Sequence, residues 1–508
     1  MIKQQQQAST RVAFNTMVLY FKMLITIGIS LYSVRLVLDA LGISDFGIFS
    51  LIAGVTAMLS FLNSAMTTST QRYLSFHQGT GNKEMQKKVF ANSWILHIVM
   101  GVTVVGVLLA LMPFLFGGIL NIPVDRVSTA KMIYYFKCAS VFFAIVSAPF
   151  TALLVARENM LWIAVVNIIE SILKLGIALS LIWFIQTERL AVYGLFIALL
   201  SIVTFLLSAV FCLKKYDECS VRNYRIDKPL IKELSSFASW NMFGAFSFLV
   251  GRSHGLAVIL NVFLGTAINA AYGIAMQISS VITSLAQSIP KALQPQIMQS
   301  EGLSDRQRML RFAMMASKFG FFLLAFIAIP MIFEMPAILE FWLKEVPNYS
   351  VVFASLYLIA LLVRQTMIGL HTAIQAIGDI RTFQIGISGI RFFNLPIAYL
   401  LLKWGYPPYS VLICVIVTEF VACIFVLFLS KKKAGLSIKD YFERVILKTI
   451  IPLFSILATC WLISKYITVD FRFLITGMVS MTVFAASVYF TGLCKDEKIL
   501  INNLLKKR

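Results

Sequence analysis

The chain has 508 residues, of which 59% are hydrophobic and only 13% are charged, and its formal net charge is +21. A soluble protein has about 25% charged residues, so this composition excludes a soluble globular protein and indicates a polytopic membrane protein. The basic excess does not favour nucleic acid as a partner, because the bases lie in short loops rather than in one stripe. The seven cysteines form no CxxC pair and the four histidines form no HExxH motif, so no metal site is predicted.

Fourteen apolar segments follow one another along the chain, and each is long enough to cross a bilayer, which takes about 20 residues. A backbone within lipid must form helices or a closed barrel to satisfy its polar groups, and runs without alternating polarity exclude the barrel. The sequence therefore predicts an all-α membrane protein with about 14 transmembrane helices, at residues 13–37, 46–66, 90–116, 132–154, 162–185, 191–213, 237–262, 267–289, 313–333, 351–376, 383–402, 409–430, 446–466 and 472–493.

The loops on alternate sides of these segments differ strongly in basic content. If the N-terminus is cytoplasmic, the inner side carries 29 of the 44 lysines and arginines and the outer side carries 7. Cytoplasmic loops of membrane proteins carry an excess of these residues. The distribution predicts that both termini are cytoplasmic.

The two halves of the chain show a weak internal repeat. A single shift along the chain lays Leu41-Gly42 on Leu264-Gly265 and Gly79 on Gly302, and a slightly smaller shift lays Glu158 on Asp379. Two six-helix halves of the same orientation are parallel repeats, and in such transporters the substrate site lies between the halves. We predict an N-lobe with six helices at 1–213, a cytoplasmic linker at 214–236, a C-lobe with six helices at 237–430, a basic cytoplasmic loop at 431–445, two extra helices at 446–493 and a cytoplasmic tail at 494–508.

Eight bases lie within the predicted spans, whereas the clear acids there are only Glu170 and Glu419; the bases are Lys22, Arg35, Lys137, Lys174, Arg252, Lys318, Arg364 and Arg391. A charge at the bilayer centre costs about 2.5–3.5 kcal/mol on insertion scales, so it usually faces protein or a water-filled cavity. Arg35 and Lys318 are near span ends, where we expect them to snorkel to the headgroups.

Lys22, Arg252, Arg364 and Arg391 are central and have no acid within four residues in the same span. A surplus of cations suits an anionic ligand, and the planar guanidinium suits phosphate in particular. We predict that these four bases bind an anionic group in a central cavity. The alternative is that some of them form structural ion pairs.

The alternative, structural ion pairs, involves the two acids Glu170 and Glu419. Glu170 and Lys174 are four residues apart in the favourable order for an ion pair on one helix face. Glu419 can partner one of the arginines, and the repeat lays Glu170 on Arg391. These residues are predicted to form ion pairs or to take part in coupling to a cation.

Arg252 lies in the segment Trp240–Phe263, the first span of the second half. Gly244, Gly251 and Gly255 lie on the same segment, and the spacing of the last two is the small-xxx-small pattern of close helix packing. We predict that these glycines contact a neighbouring helix.

Several stretches of the sequence resemble the polysaccharide exporters of the multidrug/oligosaccharidyl-lipid/polysaccharide (MOP) superfamily, the O-antigen-type flippases of lipid-linked oligosaccharides. They are RLVLDALGISDFGIFSLIAGV at 35–55, TQRYLSFHQGTGN at 70–82, FASWNMFGAFSFLVGRSHG at 237–255, LGTAINAAYGIAMQISS at 264–280 and RFFNLPIAYLLLKWGYPPYS at 391–410. The resemblance covers almost the whole chain, but these motifs are diffuse.

The resemblance implies a V-shaped, MATE-like fold of two lobes that works by alternating access in the bacterial inner membrane. The implied cargo is an undecaprenyl-diphosphate-linked oligosaccharide, moved to the periplasmic leaflet for lipopolysaccharide O-antigen, capsule or exopolysaccharide biosynthesis. Implied partners are a polysaccharide polymerase and glycosyltransferases. In the murein-precursor flippases of the same superfamily, two extra helices form a groove for the lipid tail, and the spans after residue 446 are their counterparts by analogy.

Two other functions are weighed against this one. A cation-coupled multidrug exporter of the same superfamily needs acids for cationic drugs and for H⁺ or Na⁺, and the spans are poor in acids. A membrane glycosyltransferase or polymerase needs a large catalytic domain or a long outer loop, and the longest outer loop, at 334–350, is short. We therefore predict a transporter that is not an enzyme and that needs no cofactor beyond a coupling ion.

Overall fold

A computed structural model describes residues 2–57, 60–119, 122–184, 188–219, 226–343, 346–469 and 471–498. Across these ranges the chain is helical and has no β-strand, as the apolar runs predict. The helices are α1 (Ile2–Ala57), α2 (Ser60–Gly79), α3 (Lys83–Phe114), α4 (Val127–Ala156), α5 (Met160–Trp183), α6 (Arg189–Lys215), α7 (Lys228–Phe248), α8 (Gly255–Ala286), α9 (Ser288–Gly302), α10 (Arg306–Phe333), α11 (Met335–Trp342), α12 (Ser350–Gln365), α13 (Ile368–Ile377), α14 (Arg381–Phe392), α15 (Asn394–Lys403), α16 (Ser410–Ala434), α17 (Ile438–Tyr441), α18 (Leu447–Tyr466) and α19 (Arg472–Ser487).

Within the described ranges, 11 helices are long and apolar enough to cross a membrane, or up to 12 if the bent pair α12–α13 counts as one span. Twelve of the predicted segments correspond to these. The remaining two are 46–66 and 267–289, and the second of them contains the shorter apolar helix Ala270–Ala286. These two segments are the second span of each predicted half, so the exceptions occur at equivalent places, and a count of fourteen stays a prediction.

The chain divides into two compact units. Phe14–Met242 forms the first, which we call the N-unit, and Phe243–Arg508 together with Met1–Ala13 forms the second, the C-unit. The division falls inside α7, whereas the sequence predicts a linker that ends at residue 236. The predicted limits of the lobes stay a prediction.

Helix boundaries repeat between the two halves at the spacing found in the sequence. Helices α2 and α9 end at Gly79 and Gly302, and the starts of α3 and α10 and of α4 and α12 keep the same separation. The starts of α5 and α14 and of α6 and α16 share the slightly smaller separation that relates Glu158 to Asp379. The two halves therefore contain the same six-helix series.

The same polar cap begins the third helix of each half. The Oδ1 atom of Asn82 accepts a hydrogen bond from the backbone N–H of Met85 at 3.0 Å, and Asp305 accepts one from Arg308 at the same distance. Asn and Asp are favoured caps because they satisfy an N–H group that has no partner within the helix. This pair explains why the repeat is visible in a loop of otherwise low identity.

A glycine interrupts the helix after the first long helical segment of each half. Gly42 has φ 75° and ψ 169°, and Gly265 has φ 78° and ψ −170°. Positive φ of this kind is accessible to glycine without a steric penalty. The aligned Leu-Gly pairs thus mark two equivalent helix breaks.

The last two helices pack on α10 within the C-unit. Phe322 and Phe484 are in edge contact at 6.0 Å between ring centres, in a cluster that also includes Ile456 and Cys460. Two ion pairs reinforce this contact: Arg472 Nε lies 2.9 Å from Glu334 Oε1, and Lys318 Nζ lies 2.5 Å from Glu497 Oε2. The predicted snorkelling of Lys318 is wrong, because its side chain is buried and finds a carboxylate from the C-terminal segment.

Candidate functional site

The N-unit contains a polar cleft formed by two adjoining cavities of about 410 and 400 Å³. Both cavities are lined by Asn167, Glu170 and Lys174, which lie on one face of α5. Lys22 lines the first cavity, together with hydroxyl groups of α1. The lining of the second also includes a set of small polar side chains, namely Asn63, Ser140, Ser147, Thr151, Ser201, Thr204 and Ser208.

Helical spacing places these polar groups on single faces. Lys22, Thr26, Ser30 and Ser33 recur at intervals of four, four and three along α1. The same kind of spacing holds for Ser140, Ser147 and Thr151 on α4 and for Ser201, Thr204 and Ser208 on α6. Residues three, four or seven apart share a helix face. This signal is present in the sequence, but a prediction made from the charges alone misses it.

Most of the hydroxyl groups in the cleft donate to a carbonyl of their own helix. Ser140 donates to Phe136 O at 3.0 Å, and Ser201 donates to Ala198 O at 2.6 Å. Asn167 uses its amide in the same way, at 2.7 Å from Ile163 O. A hydroxyl group has one donor and two acceptor lone pairs. With their donors used, these oxygens present acceptors, which suit a ligand rich in hydroxyl donors.

The charges of the N-unit are close to this polar lining. Lys174 Nζ lies 2.6 Å from Glu170 Oε1, so the ion pair that the spacing favours is present. Lys137 lies with Nζ 4.4 Å from the ring centre of Phe49, a cation–π contact. Lys22 and Lys174 against Glu170 leave the lining of the cleft with a positive balance.

The three arginines predicted for the site come together in the interior of the C-unit. Arg252 Nη1 lies 2.7 Å from Glu419 Oε1, and Arg391 Nε lies 3.7 Å from the same oxygen. The ring of Phe248 is contacted by all three guanidinium groups, at 5.6 Å for Arg252, 5.4 Å for Arg391 and 4.9 Å for Arg364. All three cations thus contact one aromatic ring, and two of them pair with one carboxylate.

Burial separates the three arginines. Arg252 is 0% exposed and Arg391 is 8% exposed, whereas Arg364 is partly exposed. Glu419 is 3% exposed, so its ion pair with Arg252 is fully buried. Tyr357 and Phe248 contact the guanidinium of Arg252. The sequence does not distinguish these two rings from its many other aromatic residues, so they could not be predicted as part of the site.

Close backbone packing sets the position of Arg252. A Cβ atom on Gly251 would lie 2.7 Å from the carbonyl oxygen of Arg391, and one on Gly255 would lie 2.9 Å from Leu395 Cδ2. Gly244 contacts the side chain of Gln384 in the same way. The separation along the chain is the same for all three pairs, so the two helical segments run parallel in constant register. The predicted glycine contact is therefore made, and the neighbour is α14–α15.

No family model matches this sequence, and no curated protein matches it. Solved structures do match. An outward-facing multidrug resistance MATE transporter of the MOP superfamily aligns with a TM-score of 0.74 at 15% identity, covering 85% of this chain and 96% of the other. A MOP superfamily transporter from Pyrococcus furiosus, described as having a binding pocket of reverse polarity that suggests a different function, gives the same values, and so does a mutant MATE protein.

This chain has the MATE fold. The MATE fold accounts for nearly the whole length of those proteins, so both six-helix halves described above are part of it. At 15% identity the match shows the fold alone, and the chemistry of the site must be argued from the residues of this chain.

Proposed function

We propose that this protein is a flippase that moves an undecaprenyl-diphosphate-linked oligosaccharide from the cytoplasmic to the periplasmic leaflet of the inner membrane. The product would supply lipopolysaccharide O-antigen, capsule or exopolysaccharide biosynthesis. The proposal rests on the sequence resemblance together with the chemistry of the N-unit cleft, and the cleft is the observation that carries it.

The cleft combines the two kinds of group that such a cargo requires. Oligosaccharides present many hydroxyl donors, and the oxygens of Ser140, Ser147 and Ser201 have already used their own donors within the helix. A diphosphate is anionic, and Lys22 lines the same cleft as the ion pair of Lys174 with Glu170, so the cleft has one positive charge in excess. A charged side chain within a membrane span is costly unless it faces protein or a water-filled cavity.

The arginines of the C-unit are a second set of cations. Arg252, Arg364 and Arg391 exceed Glu419 by two charges, and a low-dielectric surrounding strengthens their attraction for an anion. In the proposed mechanism the diphosphate is drawn to these cations while the polyprenyl tail stays in lipid. Alternating access then exposes the head group to the other side of the membrane.

A multidrug exporter is the second candidate, because one solved structure of the same fold is that of a multidrug resistance transporter. Glu170 and Glu419 are the acids that a coupling ion would need, but Lys174 and Arg252 neutralise them. The chemistry of the spans therefore favours an anionic cargo over a cationic drug.

The test is deletion of the gene in its own host. We expect loss of surface polysaccharide and accumulation of its lipid-linked precursor, with both restored by the wild-type gene. Drug susceptibility is measured in the same strains. Unchanged polysaccharide together with new drug sensitivity would reject the flippase and favour the exporter.

A further inference from the structure

Three arginines of the C-unit contact the ring of Phe248, two of them also pair with Glu419, and each of the three lies at an irregularity of its helix. Arg252 is in the π-helical turn Leu249–His254, and Arg391 is in the last turn of α14 before α15 begins. Arg364 is in the last turn of α12 before a bend of 44°. Glu419 is on α16, which runs from Ser410 to Ala434 as a single helix.

Residues of α16 on either side of Glu419 form hydrogen bonds with two of these helix breaks. Thr418 Oγ1 donates to Asn394 Oδ1 at 2.7 Å, at the start of α15. One turn later, Cys423 Sγ donates to the carbonyl oxygen of Val363 at 3.4 Å, just before the bend after α12. The unbroken helix α16 therefore contacts both helix breaks, one at Asn394 and one at Val363. Glu419 lies between these two contacts, so its ion pairs help to fix the same breaks.

Arg252 and Arg391 are held within this set. Arg252 has no exposed surface, donates to Glu419 through Nη1, and its carbonyl oxygen accepts from the hydroxyl of Tyr272 at 2.5 Å. Arg391 shares the same carboxylate oxygen, and its own carbonyl lies against Gly251. A guanidinium enclosed in this way does not contact a ligand that passes through a cavity.

Arg364 differs from both. Among the residues that the structure describes, no carboxylate lies within 4.0 Å of its guanidinium, whereas Arg252 and Arg391 both pair with Glu419. The guanidinium carbon lies 4.9 Å from the ring centre of Phe248, a cation–π contact. It is also the most exposed of the three.

We infer that Glu419 divides the arginines into two roles. Arg252 and Arg391 are positioning residues that fix the helix breaks, and Arg364 is the guanidinium of the C-unit that binds the diphosphate. This inference rests on the proposed function for the identity of the anion, but not for the division itself. It replaces the expectation that the four central bases act alike.

The test uses the full-length protein purified in detergent, with inorganic pyrophosphate and farnesyl diphosphate as probes. We expect Arg364→Gln to weaken the affinity for both probes at least tenfold while the midpoint of thermal unfolding stays at the wild-type value. Arg364→Lys should restore the affinity only in part, because an ammonium group lacks the planar fork. Arg311→Gln, at an exposed arginine of α10, removes a charge of the same kind and should leave both measurements unchanged.

Arg252→Gln and Glu419→Gln should instead lower the unfolding midpoint. Arg252→Lys should recover most of that loss, because an ammonium group can still pair with the carboxylate. Wild-type affinity in a stable Arg364→Gln protein would overturn the inference. So would a stable Arg252→Gln protein that no longer binds the probes, and so would a wild-type protein that binds neither probe.

The same variants expressed in the host separate this inference from the proposed function. If pyrophosphate binding depends on Arg364 but deletion of the gene leaves surface polysaccharide unchanged, the flippase proposal fails and the division of the arginines stands. If deletion abolishes the polysaccharide but Arg364→Gln restores it fully, the division fails and the flippase proposal stands.

Discussion

At the scale of single residues, hydroxyl groups in the N-unit are the clearest functional candidates outside the charges. Ser140, Ser147 and Ser201 each bond to a carbonyl within their own helix, so they contribute little to holding helices together. If the hydroxyl group of such a serine only bonds within its own helix, replacing the serine by alanine should have little effect on stability. Their position in one cleft gives them a second use, which is to accept hydrogen bonds from a ligand.

The double substitution Ser140→Ala with Ser147→Ala tests this use. We expect the initial rate of surface polysaccharide synthesis to fall at least about fivefold, since each of the two lost hydrogen bonds contributes about 0.5–1.5 kcal/mol. Protein abundance and thermal unfolding should not change. Thr103→Val is the matched control, because Thr103 makes the same intrahelical bond, at 2.8 Å to Val99 O, from an exposed position. A loss of rate in the control equal to that in the double variant would contradict the prediction.

At the scale of secondary structure elements, the contact between the π-helical turn and α14 decides the position of Arg252. Glycine lets two backbones approach closely, and in membranes this approach replaces the hydrophobic effect as a source of helix association. Gly251 is the residue where the approach is backbone to backbone. The contact therefore has no flexible side chain that could move aside.

Gly251→Ala should lower the stability of the C-unit. The added methyl group would lie 2.7 Å from the carbonyl oxygen of Arg391, so one of the two helices must shift. We expect a loss of about 1–3 kcal/mol, as for overpacking in general, measured as a lower unfolding midpoint in detergent. Gly389→Ala on α14 is the control, because nothing lies within 4 Å of the added Cβ there. An equal change in both variants would count against the close contact as the cause.

At the scale of the whole molecule, the last two helices are joined to the rest of the C-unit by ion pairs as well as by packing. Apolar surface exposed by their removal would be covered by lipid at little cost, because lipid tails are as apolar as the side chains they would contact. A buried charge that loses its partner, in contrast, is not stabilised by lipid. Lys318 and Glu334 are buried, and their partners Glu497 and Arg472 both come from the C-terminal part of the chain.

Ending the chain after Ile446 should therefore reduce the amount of protein in the membrane severely. Two charges on α10 and at its end would lose their partners, and removal of one member of a buried pair destabilises by roughly 3–5 kcal/mol. Lys318→Met combined with Glu334→Gln in the shortened chain should restore much of the abundance, measured by immunoblot of membrane fractions. If the two substitutions restore nothing, packing rather than charge joins these helices to the unit.

Much of the fold could be predicted from the sequence, because hydropathy acts locally. Each apolar run is favoured in lipid as a helix without reference to distant residues, whereas the orientation predicted from Lys and Arg stays a prediction. The Leu-Gly pairs and the caps Asn82 and Asp305 carried the repeat, since these residues satisfy local backbone requirements that recur in each half. Local physics therefore determined the all-α class and the six-helix series.

Only the tertiary structure decided which charges meet. Glu419 is 167 residues from Arg252 along the chain, and Lys318 is 179 residues from Glu497. Nothing in either local sequence specifies such a partner. The energy of a buried charge depends on what surrounds it in three dimensions. Sequence alone thus identified the unusual charges of this protein, and its packing separated the enclosed Arg252 from the more accessible Arg364.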